Sequence, residues 1–377
     1  MPHDLSVREL RASFDAATAY TVGIEDEVML LDPDTLELAT RAGDVLAKLD
    51  GDPQFKLELP ASQLEILGPP GPRVADAATA VLNGRRKLAD ATSGLVRLAS
   101  AGVHPFSSGT GKLNRGPRYD RTVHEYGALA RRQLVCALQV HVAVGDGDRA
   151  LATYNAARSF LPLLAALAAN APFYEGDDTG LASVRPKLAE LLPRQGVPPR
   201  LDGWETYASA LRWGARAGPF PDAGAWWWEL RPHPRYGTLE FRVPDGQTTV
   251  ADAAAIAAAA QALVAWLDSR LAAGEELAVA PSWRIAENRW SACRHGVEGT
   301  MADLQSGEQR PTRIWLTELL DTLEPVARGL GAGNELDHAR AMVEVNPAMA
   351  QRRVAAAEGV TGLARWLAAR FREPPGG

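Results

Sequence analysis

Five side chains able to hold a divalent cation sit at alternate positions inside short apolar runs. "TVGIEDEVMLLDPDT" (21–35) carries Glu25 and Glu27, with Asp26 between them. "SQLEI" carries Glu65, "CALQVHVAV" carries His141, and "TLEFRV" carries Glu240 and then Arg242. Carboxylates gathered in one place repel: two of them about 4 Å apart cost roughly 4 kcal/mol at an effective dielectric near 20. They need a cation, or their pKa values must rise. Acids with one imidazole form a hard, oxygen-rich ligand set, suited to Mg²⁺ or Mn²⁺. Zinc fits less well, because the chain has no Cys pair and no H-E-x-x-H pattern. Mg²⁺ commonly joins one or two carboxylates to substrate phosphates. The pattern therefore points to nucleotide chemistry.

These acids can meet only if β-strands carry them to one surface. Side chains alternate faces along a strand. In the first run, Val22, Ile24, Val28 and Leu30 share an apolar face that only Asp26 interrupts. Glu25 and Glu27 project from the other face, about 7 Å apart at strand rise. Leu64 and Ile66 oppose Gln63 and Glu65; Val140 and Val142 oppose Gln139 and His141; Leu239, Phe241 and Val243 oppose Glu240 and Arg242. A sheet with one solvated face accounts for alternation. It accounts poorly for the choice of Glu, Glu, Glu, His and Glu.

The remaining pattern is mixed. Strands are expected over 20–31, 55–70, 134–148 and, as a pair, 226–246, with another short one at "AGVHPF" (101–106). Helical periodicity covers 5–17, 73–100 and the stretch after the third strand region. From 250 onward the chain reads as almost wholly helical: 250–273, 281–299, 311–330, 335–345 and 347–372. The Gly-rich, charged segment 107–120 reads as a loop. The outline is a mixed sheet with helices along and after it, α+β or α/β, in one large domain spanning 1–377. The sheet-bearing part covers about 18–248 and the helical part about 249–372.

Composition narrows the partners. The chain has 377 residues, 46% hydrophobic and 23% charged, with net charge −6. With no long basic run, nucleic acid is not an expected partner. Two cysteines, Cys136 and Cys293, make no disulfide framework and suit a reducing, cytoplasmic setting. The N-terminal stretch lacks the apolar core of a signal peptide. "TVADAAAIAAAAQALVAWL" (249–267) is long enough to span a membrane. Its alanines, Asp252 and Gln261 read instead as a helix packed closely on the sheet, and no membrane partner is expected. Subunit number is left open, a homo-oligomer included.

No familiar phosphate loop is present. "GTGKLNRG" (109–116) has Phe106 where the first loop glycine should stand and Leu113 after its lysine; "GLGAGN" (329–334) lies between helices. ATP would be held through metals and arginines. Arg185, Arg231, Arg235 and Arg242 are the candidates, since a guanidinium fork suits phosphate or carboxylate. Each could equally serve in a structural ion pair; Arg242 stands out because it shares a strand face with Glu240.

Taken together, "GIEDEVMLLDPDT", "SQLEI", "VHPF", "HVAVGD", "LPLLAALAANAPFYEGDDTGLASVRP", "LPRQGVPP", "WELRPHPRYGTLEFRVPD" and "ENRWSACRHGV" resemble the bacterial glutamate–cysteine ligase type 2 family, the carboxylate–amine ligases, from about residue 20 to 370. The resemblance implies an α+β, glutamine-synthetase-like fold whose cupped, mainly antiparallel sheet holds Mg²⁺ and ATP, with flanking helices and a helical C-terminal region. It implies ATP-dependent joining of a carboxylate, glutamate-like, to an amine, cysteine-like, through an acyl phosphate. By the same likeness Glu25, Glu27, Glu65, His141 and Glu240 are metal ligands. Arg242 lies near the transferred phosphate or the substrate carboxylate, and Arg185 and Arg231 lie near phosphate or substrate. The family usually has His where this chain has Gln139, and commonly Glu where Asp26 stands. The name does not settle the physiological substrate, because members often show only weak glutamate–cysteine ligation.

In this reading the loop 107–118 is a candidate lid, with Lys112, Arg115 and Arg118 able to reach phosphate. Cys136, Trp226, Trp227 and Trp228 read as packing. His104 is a candidate site wall, and Arg289, Arg352 or Arg353 could reach the cleft. Two other functions use the same acids: a metal-dependent hydrolase that needs no ATP, and a non-catalytic relative that binds a nucleotide or amino acid.

Overall fold

The computed structural model describes residues 6–218, 220 and 222–374. The runs with period-two alternation form one antiparallel sheet. Its strands are β1 (Val22–Leu31), β2 (Phe55–Leu57), β3 (Gln63–Leu67), β4 (Arg97–Ala99) and β5 (Leu138–Ala143). After a two-stranded ribbon, β6 (Phe173–Tyr174) with β7 (Asp177–Asp178), come β8 (Leu230–His233) and β9 (Thr238–Phe241). The order is β2-β3-β1-β5-β9-β8, with β4 paired to the far end of β1.

Apolar patterning decides which face goes inward. Ile24, Val140, Val142, Leu239 and Phe241 are all buried. They pack with helices 74–91 and 250–272 in the main core. The longer helix is capped by Thr249, whose Oγ1 accepts from the Asp252 amide at 3.1 Å. Its alanines present little bulk, so neighbouring helices approach closely. Gln261 is fully buried on it and donates to the carbonyls of Tyr20 (2.8 Å) and Pro72 (3.1 Å). The helix is apolar and long enough to cross a membrane, but 83% of its most apolar window is buried inside the protein.

The β8–β9 hairpin sets the register that matters most. Its turn closes when the Gly237 amide donates to the His233 carbonyl at 2.9 Å. Gly237 has φ +67°, and a Cβ there would stand 2.2 Å from the Ser13 carbonyl oxygen. Only glycine satisfies both demands. The turn holds Arg231 opposite Glu240.

Several local expectations shift. Residues 101–106 form no strand; the short strand is Arg97–Ala99. Part of the expected loop 107–120 is the helix Pro117–Tyr126, opened by Pro117 at its first turn. Helix Trp204–Ala217 lies where no element was anticipated. The helical region is interrupted by β10 (Thr300–Ala302) paired with β11 (Gln309–Pro311). Short two- and three-residue strands leave too little periodicity to detect.

Candidate active site

Strand register assembles the acids. Glu27 faces Glu65 across β1 and β3, Glu25 faces Gln139 across β1 and β5, and His141 faces Glu240 across β5 and β9. All project from the face opposite the core. They form two groups whose ligand atoms lie within 4.8 Å of one another: Glu25, His141 and Glu240, and Glu27, Glu58 and Glu65. Glu58 was not among the sequence candidates. Its signal was available, because Lys56 and Glu58 alternate with Phe55 and Leu57 in "FKLEL".

In the first group, the Nδ1 of His141 lies 2.9 Å from the Thr238 hydroxyl. The hydroxyl can accept from Nδ1–H or donate to Nδ1, so Nε2 can offer a lone pair to a cation or turn a proton toward Glu25. Nε2 is buried, has no hydrogen-bond partner among the described residues, and stands 3.5 Å from Glu25 Oε1. Burial works to raise the Glu25 pKa, but His141 outweighs it and the net shift is downward. Burial acts on Glu240 likewise, yet Arg231 and Arg242 hold it well below the usual carboxylate range. Arg231 grips both Glu240 oxygens, and Arg242 Nη1 adds a third bond.

The second group has the opposite character. Burial, with Glu58 close by, pushes Glu27 up to about 7, although the Ala137 amide and two arginines oppose it. Glu58 is raised by burial against the pull of Arg118 and Arg242. Glu65 is raised well above its ordinary value by burial and by three neighbouring carboxylates. Glu27 is held firmly: Oε2 accepts from the Ala137 amide at 2.6 Å and Oε1 from Gln139 Nε2 at 2.7 Å.

A divalent cation fits these residues. Three crowded acids lack a neutralising charge within their own group, and the neighbouring group offers an orphaned imidazole nitrogen. Oxygen donors with a single nitrogen match Mg²⁺ or Mn²⁺. A measurable consequence follows from linkage. A carboxyl whose folded pKa is raised stabilises the metal-free fold below its unfolded value of 4.5, and loses that contribution as pH rises through the folded value. For Glu27 the window runs from about 4.5 to about 7, worth on the order of 3 kcal/mol. The metal-free protein should therefore melt at lower temperature at pH 8 than at pH 6, and added Mg²⁺ should raise the melting temperature more at pH 8. Equal Mg²⁺ effects at both values would remove this grouping from consideration as a metal centre.

The arginines differ in what they have left to give. Arg242 Nη1 bonds Gln139 Oε1 at 2.5 Å and also Glu240. Its side chain is 20% exposed, and its Nε and Nη2 make no hydrogen bond among the described residues. Arg231 is committed to Glu240 and to the carbonyls of Gly224 (2.8 Å) and Trp226 (3.2 Å). Arg185 donates to the main chain of Arg242 (3.0 Å) and Val243 (3.3 Å) and lies 3.5 Å from Asp245. Arg235 is exposed beside Tyr236, with its guanidinium 5.6 Å from that ring.

The loop that contains Lys112 and Arg115 is stitched to the segment bearing Glu58. Ala61 N donates to Lys112 O at 2.9 Å, and Asn114 Nδ2 donates to the carbonyls of Glu58 (2.7 Å) and Pro60 (3.2 Å). Lys112 and Arg115 are exposed; the Arg115 side chain is 94% exposed and 4.0 Å from Asp120. His104 has a local task. Its Nδ1 accepts from the amides of Phe106 and Ser107, so Nε2–H donates to the Leu36 carbonyl at 2.9 Å. Burial lowers its pKa to about 4, which keeps it neutral. Arg289 pairs with Glu229 (2.8 Å) and Arg352 with Asp178 (2.8 Å). Cys136 is buried, and burial raises its thiol pKa well above the ordinary value.

An antiparallel sheet backed by helices is a fold shared with solved ligases. The chain superposes on the crystal structure of glutamate–cysteine ligase from Francisella tularensis in complex with AMP with a TM-score of 0.69, at 13% identity, covering 94% of this chain and 89% of that one. A bifunctional glutathione synthetase from Pasteurella multocida gives 0.62 at 17% identity, over 97% of this chain and 53% of the other. The α+β fold with a mainly antiparallel sheet expected from the sequence is thus met. In sequence the chain is 42% identical to a protein provisionally named glutamate–cysteine ligase 2-3 from Rubrobacter xylanophilus, over 87% of this chain and 90% of the relative. A protein provisionally named glutamate–cysteine ligase 2-2 from Nocardia farcinica is 33% identical, over 91% and 93%. Residues 21–364 match the glutamate-cysteine ligase family 2 (GCS2), and the chain belongs to that family.

Proposed function

We propose that the protein is an ATP-dependent carboxylate–amine ligase that makes an amide through an acyl phosphate. The observation that carries this reading is the pair of three-ligand groups lying side by side on one sheet face, with the unspent edge of Arg242 beside them. Glu25, His141 and Glu240 would hold one Mg²⁺ or Mn²⁺, and Glu27, Glu58 and Glu65 another. A cation there neutralises phosphate charge as the γ-phosphoryl group moves.

The chain's own residues supply the rest. Arg242 offers Nε and Nη2 to the migrating phosphoryl oxygens, where charge gathers in the transition state. Arg231 is a positioning group, because its donors already fix Glu240 and the segment at Gly224–Trp226. Arg185 similarly holds the main chain at Arg242 and Val243 in place. Lys112 and Arg115 stand on the rim as contacts for the outer phosphates. The loop 107–118 acts as a wall, since closing over the site would break its bonds to Glu58–Ala61.

A glutamate-like carboxylate attacks the γ-phosphorus, the bond to the β-phosphate oxygen breaks, and ADP departs. A cysteine-like amine then attacks the acyl carbon. Phosphate leaves, the nitrogen loses its extra proton, and the amide is formed. Water must be kept away from the acyl phosphate. The setting we propose is the cytoplasm, with small molecules as partners.

A panel of acids and amines assayed for ATP-dependent phosphate release, with product mass measured, tests the reading. Amide product that requires both ATP and Mg²⁺ is the expected result. Turnover without ATP would replace the ligase with a hydrolase, and tight nucleotide binding without product would replace it with a sensor.

A further inference from the structure

One amide joins the two acidic groups. Gln139 sits on β5 opposite Glu25 and is 4% exposed as a residue. Its Nε2 donates to Glu27 Oε1 at 2.7 Å and lies 3.5 Å from Glu65 Oε1. Its Oε1 accepts from Arg242 Nη1 at 2.5 Å. The orientation is determined by the neighbours: a carboxylate needs a donor and a guanidinium needs an acceptor, so only one of the two flips satisfies both.

Resting on the ligase reading, we infer that Gln139 is a positioning residue that links occupancy of the Glu27–Glu58–Glu65 group to the placement of Arg242. The linkage is mechanical. Glu27 is gripped at both oxygens, by the Ala137 amide and by Gln139, which leaves each oxygen one lone pair in a set direction. Arg242 is gripped at Nη1 by Gln139 and Glu240, while its Nε and Nη2 make no hydrogen bond among the described residues. A cation drawing on Glu27 Oε1 therefore acts through a two-bond chain on the guanidinium. Partners that orient a ligand in this way commonly change metal affinity or activity by about 10–100-fold when removed. No other side chain among the described residues bonds both Glu27 and Arg242.

Glutamine suits this place better than its charged analogue. Glutamate would keep the acceptor for Arg242 but put a further carboxylate against Glu27, whose own ionisation is already disfavoured by burial. An apolar chain of the same length would leave Glu27 and Arg242 each short of one bond.

The test uses Gln139→Met, which keeps volume and loses both bonds, and Gln139→His, which can donate from one nitrogen and accept at the other. Mn²⁺ binding to the nucleotide-free protein is measured by calorimetry, and ATP-dependent turnover is measured alongside. Gln139→Met is expected to weaken Mn²⁺ binding about 10–100-fold and to lower kcat by a similar factor, with the KM for the acid little changed. Gln139→His is expected to recover at least part of both. A Gln139→Met protein that is folded by circular dichroism, yet binds Mn²⁺ and turns over like the parent, overturns the inference. So does loss of melting temperature with Mn²⁺ affinity and kcat intact, which is the mark of a packing role. If the parent makes no amide with any acid and amine, the ligase reading fails, and the Mn²⁺ measurement still decides whether Gln139 orients Glu27.

Discussion

Replacing Arg242 with alanine is expected to lower ATP-dependent turnover by about 10²–10³-fold, the usual cost of losing one donor aimed at developing charge. The fold should survive. Glu240 keeps both bonds from Arg231, so no buried carboxylate is left bare. Gln139 Oε1 loses its partner, but the 20% exposure of the arginine side chain lets water take that place. Lysine is not an adequate substitute, because a point charge cannot reach Gln139, Glu240 and a phosphate together as a planar fork does. ADP formation and melting temperature should be recorded together. Near-normal turnover in a stable variant would assign Arg242 to framework and take away the transition-state role.

The second large effect lies behind the sheet. Asp26 stands between Glu25 and Glu27 but points into the core, where it is fully buried. Arg85, also fully buried, meets it with Nε at 2.8 Å and Nη2 at 3.0 Å. The same guanidinium donates to the carbonyls of Thr248 (2.8 Å) and Gln247 (2.8 Å), and lies 4.7 Å from the Phe371 ring. It thus ties β1 to the start of the long helix and to the C-terminal segment. Arg85→Met should destabilise the protein by about 3–5 kcal/mol, the range for removing one partner of a buried pair. The cause is an uncompensated carboxylate, not the lost attraction alone. Combining Arg85→Met with Asp26→Leu should recover part of the loss, since replacing both charges with apolar groups is often near neutral. Urea unfolding measures both. A single variant within about 1 kcal/mol of the parent would mean that Asp26 finds another partner.

These two cases show what was legible in "GIEDEV". Period-two alternation sorts the three acids correctly: Glu25 and Glu27 to the site face, Asp26 to the core face. Alternation is a local property of an extended backbone, so sequence carries it. The same rule separates His141, Glu240 and Arg242 from their apolar neighbours. It also held the signal for Glu58, but β2 is three residues long and ends at Leu57, so the pattern is too brief to stand out.

Partnership was not legible. Arg85 reads as one more polar residue in a helix, and nothing in its neighbours announces a buried acid 59 positions earlier. For Arg231 and Arg185 the sequence leaves phosphate contact and a structural pair equally open; the structure bonds Arg231 to Glu240 and Arg185 to main-chain carbonyls.

The sequence by itself determined the type of chemistry: hard ligands and guanidiniums on the polar side of apolar strands, since residue type and alternation need no knowledge of distance. The tertiary structure alone decided how those groups are shared out: which acids stand together, which guanidinium keeps unspent donors, and which acid is a core counter-charge. That division depends on strand register and on contacts between residues far apart in the chain. A hydrogen bond made or missed over half an ångström is invisible to any local pattern.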